Sequence, residues 1–349
     1  MIEFGLDSFA TTLAPAGGVV VTPAQRLHNL LAEIERAEEV GIDFFGVGEH
    51  HRAEFVDSAP TVILASAAAR TKKIRLTSAV TVLSAADPVR VFEEFATLDL
   101  ISGGRAEITA GRGSSIEAFP LFGFDLEDYD ALFTEKLGLL LKLRDEAHVH
   151  WSGKHRPALT GQGVFPRPLQ KSLPIWLGAG GTPQSFIRAG QLGLPLMVAI
   201  IGGEFRRFRP LVDLYREAGR AAGHAPAKLK VGVHALGYLA DTDQLAADEF
   251  FPGWAQAFTQ IGKERGWPPA TRGQFNAALQ PGGAYLIGGA KTVTEKIIEL
   301  NTTLGGIDRI SFQMSVSALP HAQSLHAIEL LGTQVAPAVR KALAKTPSA

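Results

Sequence analysis

Residues 74–111 read IRLTSAVTVLSAADPVRVFEEFATLDLISGGRAEITAG, and they contain a complete folding unit. The apolar run 74–83 reads as a buried strand. Asp87 followed by Pro88 is a helix start: an oxygen-bearing cap, then a residue whose missing N–H is not needed at the first helical position. Gly103 and Gly104 stop that helix, and RAEITAG from Arg105 is a second short strand. Two apolar strands joined through a helix point to parallel pairing, because a parallel crossover needs a dozen or more residues.

The same unit recurs outward in both directions. Upstream, TPAQRLHNLLAEIERAEEVGIDFF at residues 22–45 places Thr22 at a helix cap and Pro23 at its first position. Leu27, Leu30, Leu31 and Ile34 follow at helical spacing, and Gly41 ends the helix. Strand-like runs at residues 2–9, 44–47, 173–180, 195–201, 229–240 and 309–315 bring the total to eight. Eight parallel strands close a barrel, so the expected fold is α/β, a (β/α)8 TIM barrel, in preference to an open doubly wound sheet. Two segments break the alternation and read as insertions after strands four and seven. One, about 147–172, is rich in turn formers; the other, about 241–283, is helical with a WPPATRGQ turn. Residues 1–349 are read as a single barrel domain, at a length that would also accommodate two average domains.

Hydrophobic residues make up 46% of the chain, enough for a large core. The 34 basic residues balance 35 acidic ones, so no field attracts nucleic acid or a membrane surface. The absence of cysteine excludes disulfides, thiolate metal sites and a cysteine nucleophile, and points to a reducing compartment. MIEFGLDSF reads as a first strand and not as a signal peptide, and no run of eighteen uncharged apolar residues suggests a membrane span. The cytoplasm is the expected location.

In a barrel the chemistry sits where strands end and helices begin. After strand two, FFGVGEHHRAEF at residues 44–55 ends in Glu49, His50, His51 and Arg52. Metal binding, acid/base chemistry and a salt-bridge cluster are all open to that set. Adjacent histidines on an extended chain point to opposite faces, and no HExxH pair exists, so no metal site is expected. A histidine at the mouth suits proton transfer; His50 is preferred to His51, although periodicity does not separate them. Glu49 would orient a ring or the Arg52 guanidinium. After strand five, GAGGTPQS runs from a strand into a helix capped by Thr182 and begun by Pro183, which aims N–H groups and a positive dipole end at the mouth. Arg112, between two glycines after strand four, would supply a forked counter-charge. Together they favour a phosphate site over the alternatives of an ordinary turn and a structural salt bridge. Neither a Walker loop nor a GxGxxG loop is present here. Strand eight adds Gln313, Met314 and Ser315, followed by His321.

With these motifs assembled, the chain resembles the bacterial luciferase-like, flavin-dependent monooxygenases. VGEHHRAEF, SAVTVLSAADPVRVFEEFATLDLISGGRAEITAGRGSS, IWLGAGGTPQSFIRAGQLGLPLM and DRISFQMSVSALPHAQSLHAIELLGTQVAPAVRK carry the resemblance, in order, over nearly the whole chain. The resemblance implies a barrel holding reduced FMN, with the phosphate on the loop after strand five and the isoalloxazine near the end of strand three. Its phosphate partners would be Arg112, Gly181, Thr182 and Ser185. A non-proline cis peptide beside the flavin would fall at Ala79-Val80, and Ser114 would approach the flavin through its backbone. Glu49 and His50 match an acid-histidine pair over the flavin, His50 as acid/base and Glu49 as its orienter or a flavin contact. The implied reaction is that of FMNH2 with O2, giving a flavin hydroperoxide that oxygenates a small organic substrate such as an aldehyde or another carbonyl compound. A separate flavin reductase would supply the flavin, and a homodimer is implied through helices around strands two and three. Luciferase itself has a glutamate where Gly181 stands, so a luminescent aldehyde reaction is not implied. A deazaflavin-dependent hydride-transfer enzyme and a non-catalytic flavin-binding protein are the alternatives.

Overall fold

The computed structural model describes residues 1–344 apart from 15–17, 19, 114–115 and 317–318, and of residue 265 only the backbone. Eight parallel strands form a closed barrel: β1 (Glu3–Ser8), β2 (Phe44–Val47), β3 (Arg75–Ser78), β4 (Ala106–Gly111), β5 (Ile175–Ala179), β6 (Leu196–Ile200), β7 (Val231–Leu239) and β8 (Arg309–Gln313). Each pairs with the next, and β8 returns to β1 with Arg309 opposite Glu3. The main outer helices are α1 (Pro23–Glu39), α2 (Pro60–Arg70), α3 (Pro88–Ser102), α4 (Tyr129–Asp145), α5 (Pro183–Gln191) and α6 (Arg209–Ala221). Thr22 caps α1 by accepting the Gln25 N–H; Asp87 caps α3 by accepting from Val89 and Arg90, and Gly103 closes it at φ +70°.

The expected third strand is two. β3 stops at Ser78, the Ala79–Val80 peptide bond is cis, and Thr81–Val82 then pairs with β4, Thr81 opposite Ala110. Apolar character runs unbroken through the step, which is why the residue pattern reads as one strand. Between α4 and β5 lies an antiparallel hairpin of His148–Trp151 with Leu159–Gly163. Between β7 and β8 stand α7 (Asp243–Arg265) and α8 (Arg272–Leu279), then a short strand Leu286–Gly288 on β7 and the helix Ala290–Thr303. Among the described residues no helix is long and apolar enough to cross a membrane.

Strand alternation sorts the residues into two layers. Phe4, Leu6, Phe45, Val47, Ile108, Ala110, Ile310 and Phe312 face outward into one apolar cluster shared with Leu30, Ile34, Phe92 and Phe95 of the helices. The alternate residues fill the barrel. At the end away from the loops, Arg309 bonds Glu107 at 2.7 Å and Glu3 at 2.5 Å, and its guanidinium lies 4.2 Å from the ring centres of both Phe44 and Trp176. Met197 packs with those rings. Burial pushes the Glu107 carboxyl up, but Arg309 and Arg75 outweigh it and hold the group below the usual carboxylate range. The floor of the barrel is thus a packed ionic and aromatic plug, and the open end is the other one.

Candidate active site

The Glu49-His50-His51-Arg52 cluster divides three ways. The His50 imidazole packs against the rings of Phe9 and Phe55, with centroids 4.5 Å from each, and its Nδ1 is 2.9 Å from Asp57 Oδ2. Asp57 is fully buried. Burial pushes its carboxyl up, opposed by the bond to His50. Gly48 makes room for this couple: a Cβ there would stand 2.6 Å from Asp57 Oδ2 and 2.6 Å from the Phe9 ring. Glu49 does not orient His50. Its Oε2 accepts the Val82 N–H at 2.8 Å, and its Oε1 is 3.3 Å from His51 Nε2. The ring that Glu49 orients is therefore that of His51, because one residue of extended chain turns its side chain away from His50 and toward the Thr81–Val82 segment. His51 meets the Phe122 ring edge-on at 5.0 Å. Arg52 ties three segments of the rim together through Glu54, Glu117 and Glu264.

Between strands two and five the floor of the mouth is made of small residues and one side chain. Val80 lies so close over β4 that a Cβ on Gly111 would be 2.5 Å from it; one on Gly178 would be 3.1 Å away, and Ala79 crowds Gly46 in the same way at 2.8 Å. Below this floor His234 Nδ1 is 2.8 Å from Asp7 Oδ2, which also accepts from the Ser311 hydroxyl at 2.5 Å. Burial presses the His234 imidazole toward neutrality, but Asp7 and Gln313 outweigh it and leave the group above its ordinary value. The Phe9 ring, 6.3 Å away, stacks over it.

The opposite side of the mouth is cationic. Arg112 Nη1 donates to Asp130 at 2.7 Å and Nη2 to the Thr182 hydroxyl at 3.4 Å, with the guanidinium 5.1 Å over the Tyr129 ring. Thr182 is the N-cap of α5 by backbone conformation, but its side chain makes no cap bond, so its hydroxyl turns toward Arg112. Ser185 is buried, and its N–H donates to the Thr182 carbonyl at 2.9 Å. Gly180 and Gly181 are exposed, with nothing within 4 Å of where a Cβ would stand and Gly181 at φ +148°. Arg188, one turn further along α5, feels both Asp130 and Arg112. Ser114 lies outside the described residues.

The structure therefore brings Arg112, Gly181, Thr182 and Ser185 together at one side, His50 and Glu49 at the other, and Ala79 and Val80 between them. A helix N-terminus, an open glycine pair and an arginine fork fit a phosphate, and the glycine-lined floor fits a planar ring. Sequence reasoning missed Asp57, Phe9, Phe55 and Arg188. The only available signal was DSAP after the histidines, an acid just ahead of a helix start. Among the described residues no group of three or more metal-ligating side chains could hold a metal ion.

Residues 8–306 match the luciferase-like monooxygenase family. The 4-hydroxyprotoasukamycin monooxygenase of Streptomyces nodosus subsp. asukaensis is 26% identical over 322 residues, covering 87% of this chain and 84% of its own. The crystal structure of monooxygenase RslO1 from Streptomyces bottropensis superposes with a TM-score of 0.82 at 26% identity, over 96% of this chain and 99% of that one. The oxygenating constituent of 3,6-diketocamphane monooxygenase from Pseudomonas putida, solved in complex with FMN, shares the fold with a TM-score of 0.79 at 21% identity, over 97% and 99% of the two chains. The chain belongs to the luciferase-like monooxygenase family and, with it, to the flavin-dependent oxygenating enzymes.

Proposed function

We propose that this protein is an FMN-dependent monooxygenase that uses O2 to oxygenate a small organic substrate. The observation that carries the reading is the arrangement of the mouth: an anion cradle at the ends of β4 and β5, a buried-acid histidine beyond β2, and a glycine-lined floor between them. Reduced FMN, when bound, supplies the electrons for oxygen activation. Arg112 and the Thr182 and Ser185 hydroxyls hold its phosphate, together with the exposed N–H groups at Gly181 and the start of α5. Val80 and Ala79 would support its ring. His50 moves a proton at Nε2, its Nδ1 being tied to Asp57. Phe9 and Phe55 pack against that imidazole, and Glu49 fixes the Thr81–Val82 segment through the Val82 N–H. A separate reductase delivers the flavin, and the protein acts as a homodimer.

Stopped-flow mixing of the anaerobic FMNH2 complex with oxygenated buffer tests the reading. The expected result is flavin oxidation that differs in course from that of free FMNH2 and depends on His50. Oxidation indistinguishable from free flavin, or binding only of a reduced deazaflavin, would count against it and favour hydride transfer. Tight binding of oxidised FMN with no oxygen uptake would favour a carrier.

A further inference from the structure

We propose that Asp57 is the positioning residue of His50, fixing the imidazole in one tautomer so that Nε2 alone exchanges protons. The inference rests on the monooxygenase reading for its catalytic consequence, but not for its geometry. Asp57 has no solvent exposure, and its Oδ2 is spent on a single side-chain bond, to His50 Nδ1 at 2.9 Å. An ionised carboxylate only accepts, so the nitrogen facing it carries the hydrogen and the lone pair of the neutral ring falls on Nε2. The second oxygen, Oδ1, is buried without a partner, and besides the ring only the backbone N–H groups of Asp57 and His50 act on the carboxyl; a buried acid kept at that cost with one side-chain partner is better explained by orienting that imidazole than by general stabilisation.

The surroundings restrict the ring further. Phe9 and Phe55, themselves 6.5 Å apart, both pack against it at 4.5 Å from adjoining directions, which narrows the space in which the imidazole can turn. Gly48 leaves no slack: a Cβ there would meet Asp57 Oδ2 at 2.6 Å and His50 Cε1 at 3.1 Å. The neighbouring titratable groups are otherwise engaged. Glu49 holds His51 and the Val82 N–H, Arg52 is tied to three glutamates, and the His234–Asp7 pair lies beyond the Phe9 ring. The same geometry selects His50 over His51, whose Nε2 is already taken by Glu49.

Long-range 1H–15N spectra of 15N-histidine-labelled protein, without flavin, read the tautomer directly, with His50→Gln assigning the signals. The expected result is Nδ1–H in the neutral wild-type ring and a switch to Nε2–H in Asp57→Asn, whose amide can donate to Nδ1. In turnover with FMNH2, Asp57→Asn is expected to lower kcat about 100-fold or more while KM and FMN affinity hold. Gly48→Ala, which crowds the carboxylate without removing it, should broaden or shift the same signals and keeps the test open should Asp57→Asn fail to fold. A wild-type ring in the Nε2–H form, or a tautomer indifferent to both variants, overturns the proposal whatever the enzyme oxygenates. A switched tautomer with undiminished kcat overturns its catalytic part. Loss of oxygen uptake in the wild type itself would instead fail the monooxygenase reading and leave the spectra unaffected.

Discussion

Arg112, at the end of β4, reaches the hydroxyl of Thr182, at the start of α5, across 3.4 Å. Two loops seventy positions apart are thereby joined at the mouth. Charge-assisted hydrogen bonds contribute about 1.5–3 kcal/mol each, so Arg112→Ala is expected to weaken FMN binding about 10- to 150-fold. Arg112→Lys should recover part of the loss, because a point charge replaces the fork. A fluorescence titration measures it; an unchanged affinity would place the phosphate elsewhere.

Removing Arg309 should be among the most damaging single changes in the barrel. Arg309→Met leaves Glu107 buried with Arg75 as its one remaining cation, and breaking a buried pair in this way costs about 3–5 kcal/mol. The double variant Arg309→Met, Glu107→Leu removes both charges and should return most of that stability. Urea midpoints of the two variants, compared with the parent, check the pair.

The same carboxylate sets a pH dependence. Because the folded Glu107 sits below its unfolded value, its contribution is present above about pH 4.5 and is lost as pH falls through the folded value. Glu107→Gln should flatten the acid limb of stability against pH. Lys296 works in the opposite range: burial lowers its ammonium to about 8 against a weak pull from Glu299. Between about pH 8 and 10.5 the unfolded chain binds the extra proton, so stability from this group rises with pH. Lys296→Met should remove that rise, a change visible in urea titrations across the alkaline range.

Glu49 is expected to matter through the backbone. Glu49→Ala strands the Val82 N–H, at a cost of about 1–3 kcal/mol, whereas Glu49→Gln keeps an acceptor and should melt near the parent. If both variants lose turnover equally at unchanged melting temperature, Glu49 has a chemical role beyond holding that segment.

What the residues alone revealed follows from where the information is stored. The eight strands were legible because parallel strands buried on both faces read as continuous apolar runs. The anion loop was legible because glycine, threonine and proline mark the start of α5 within a few positions. The step at Ala79–Val80 was not visible as a break in the strand, since apolar residues continue through it. Asp57 was hidden for another reason. Its pairing with His50 exists only because Gly48, Phe9 and Phe55 converge in space, and no local period connects an acid in a loop to an imidazole seven residues earlier.

The plug of Arg309, Glu107, Phe44, Trp176 and Met197 makes the barrel a cup and not a tube. Whatever settles on the glycines of β4 and β5 must depart by the route it used to arrive. A bulky occupant lying across the opening stoppers anything smaller beneath it, so exchange at this site runs last in, first out.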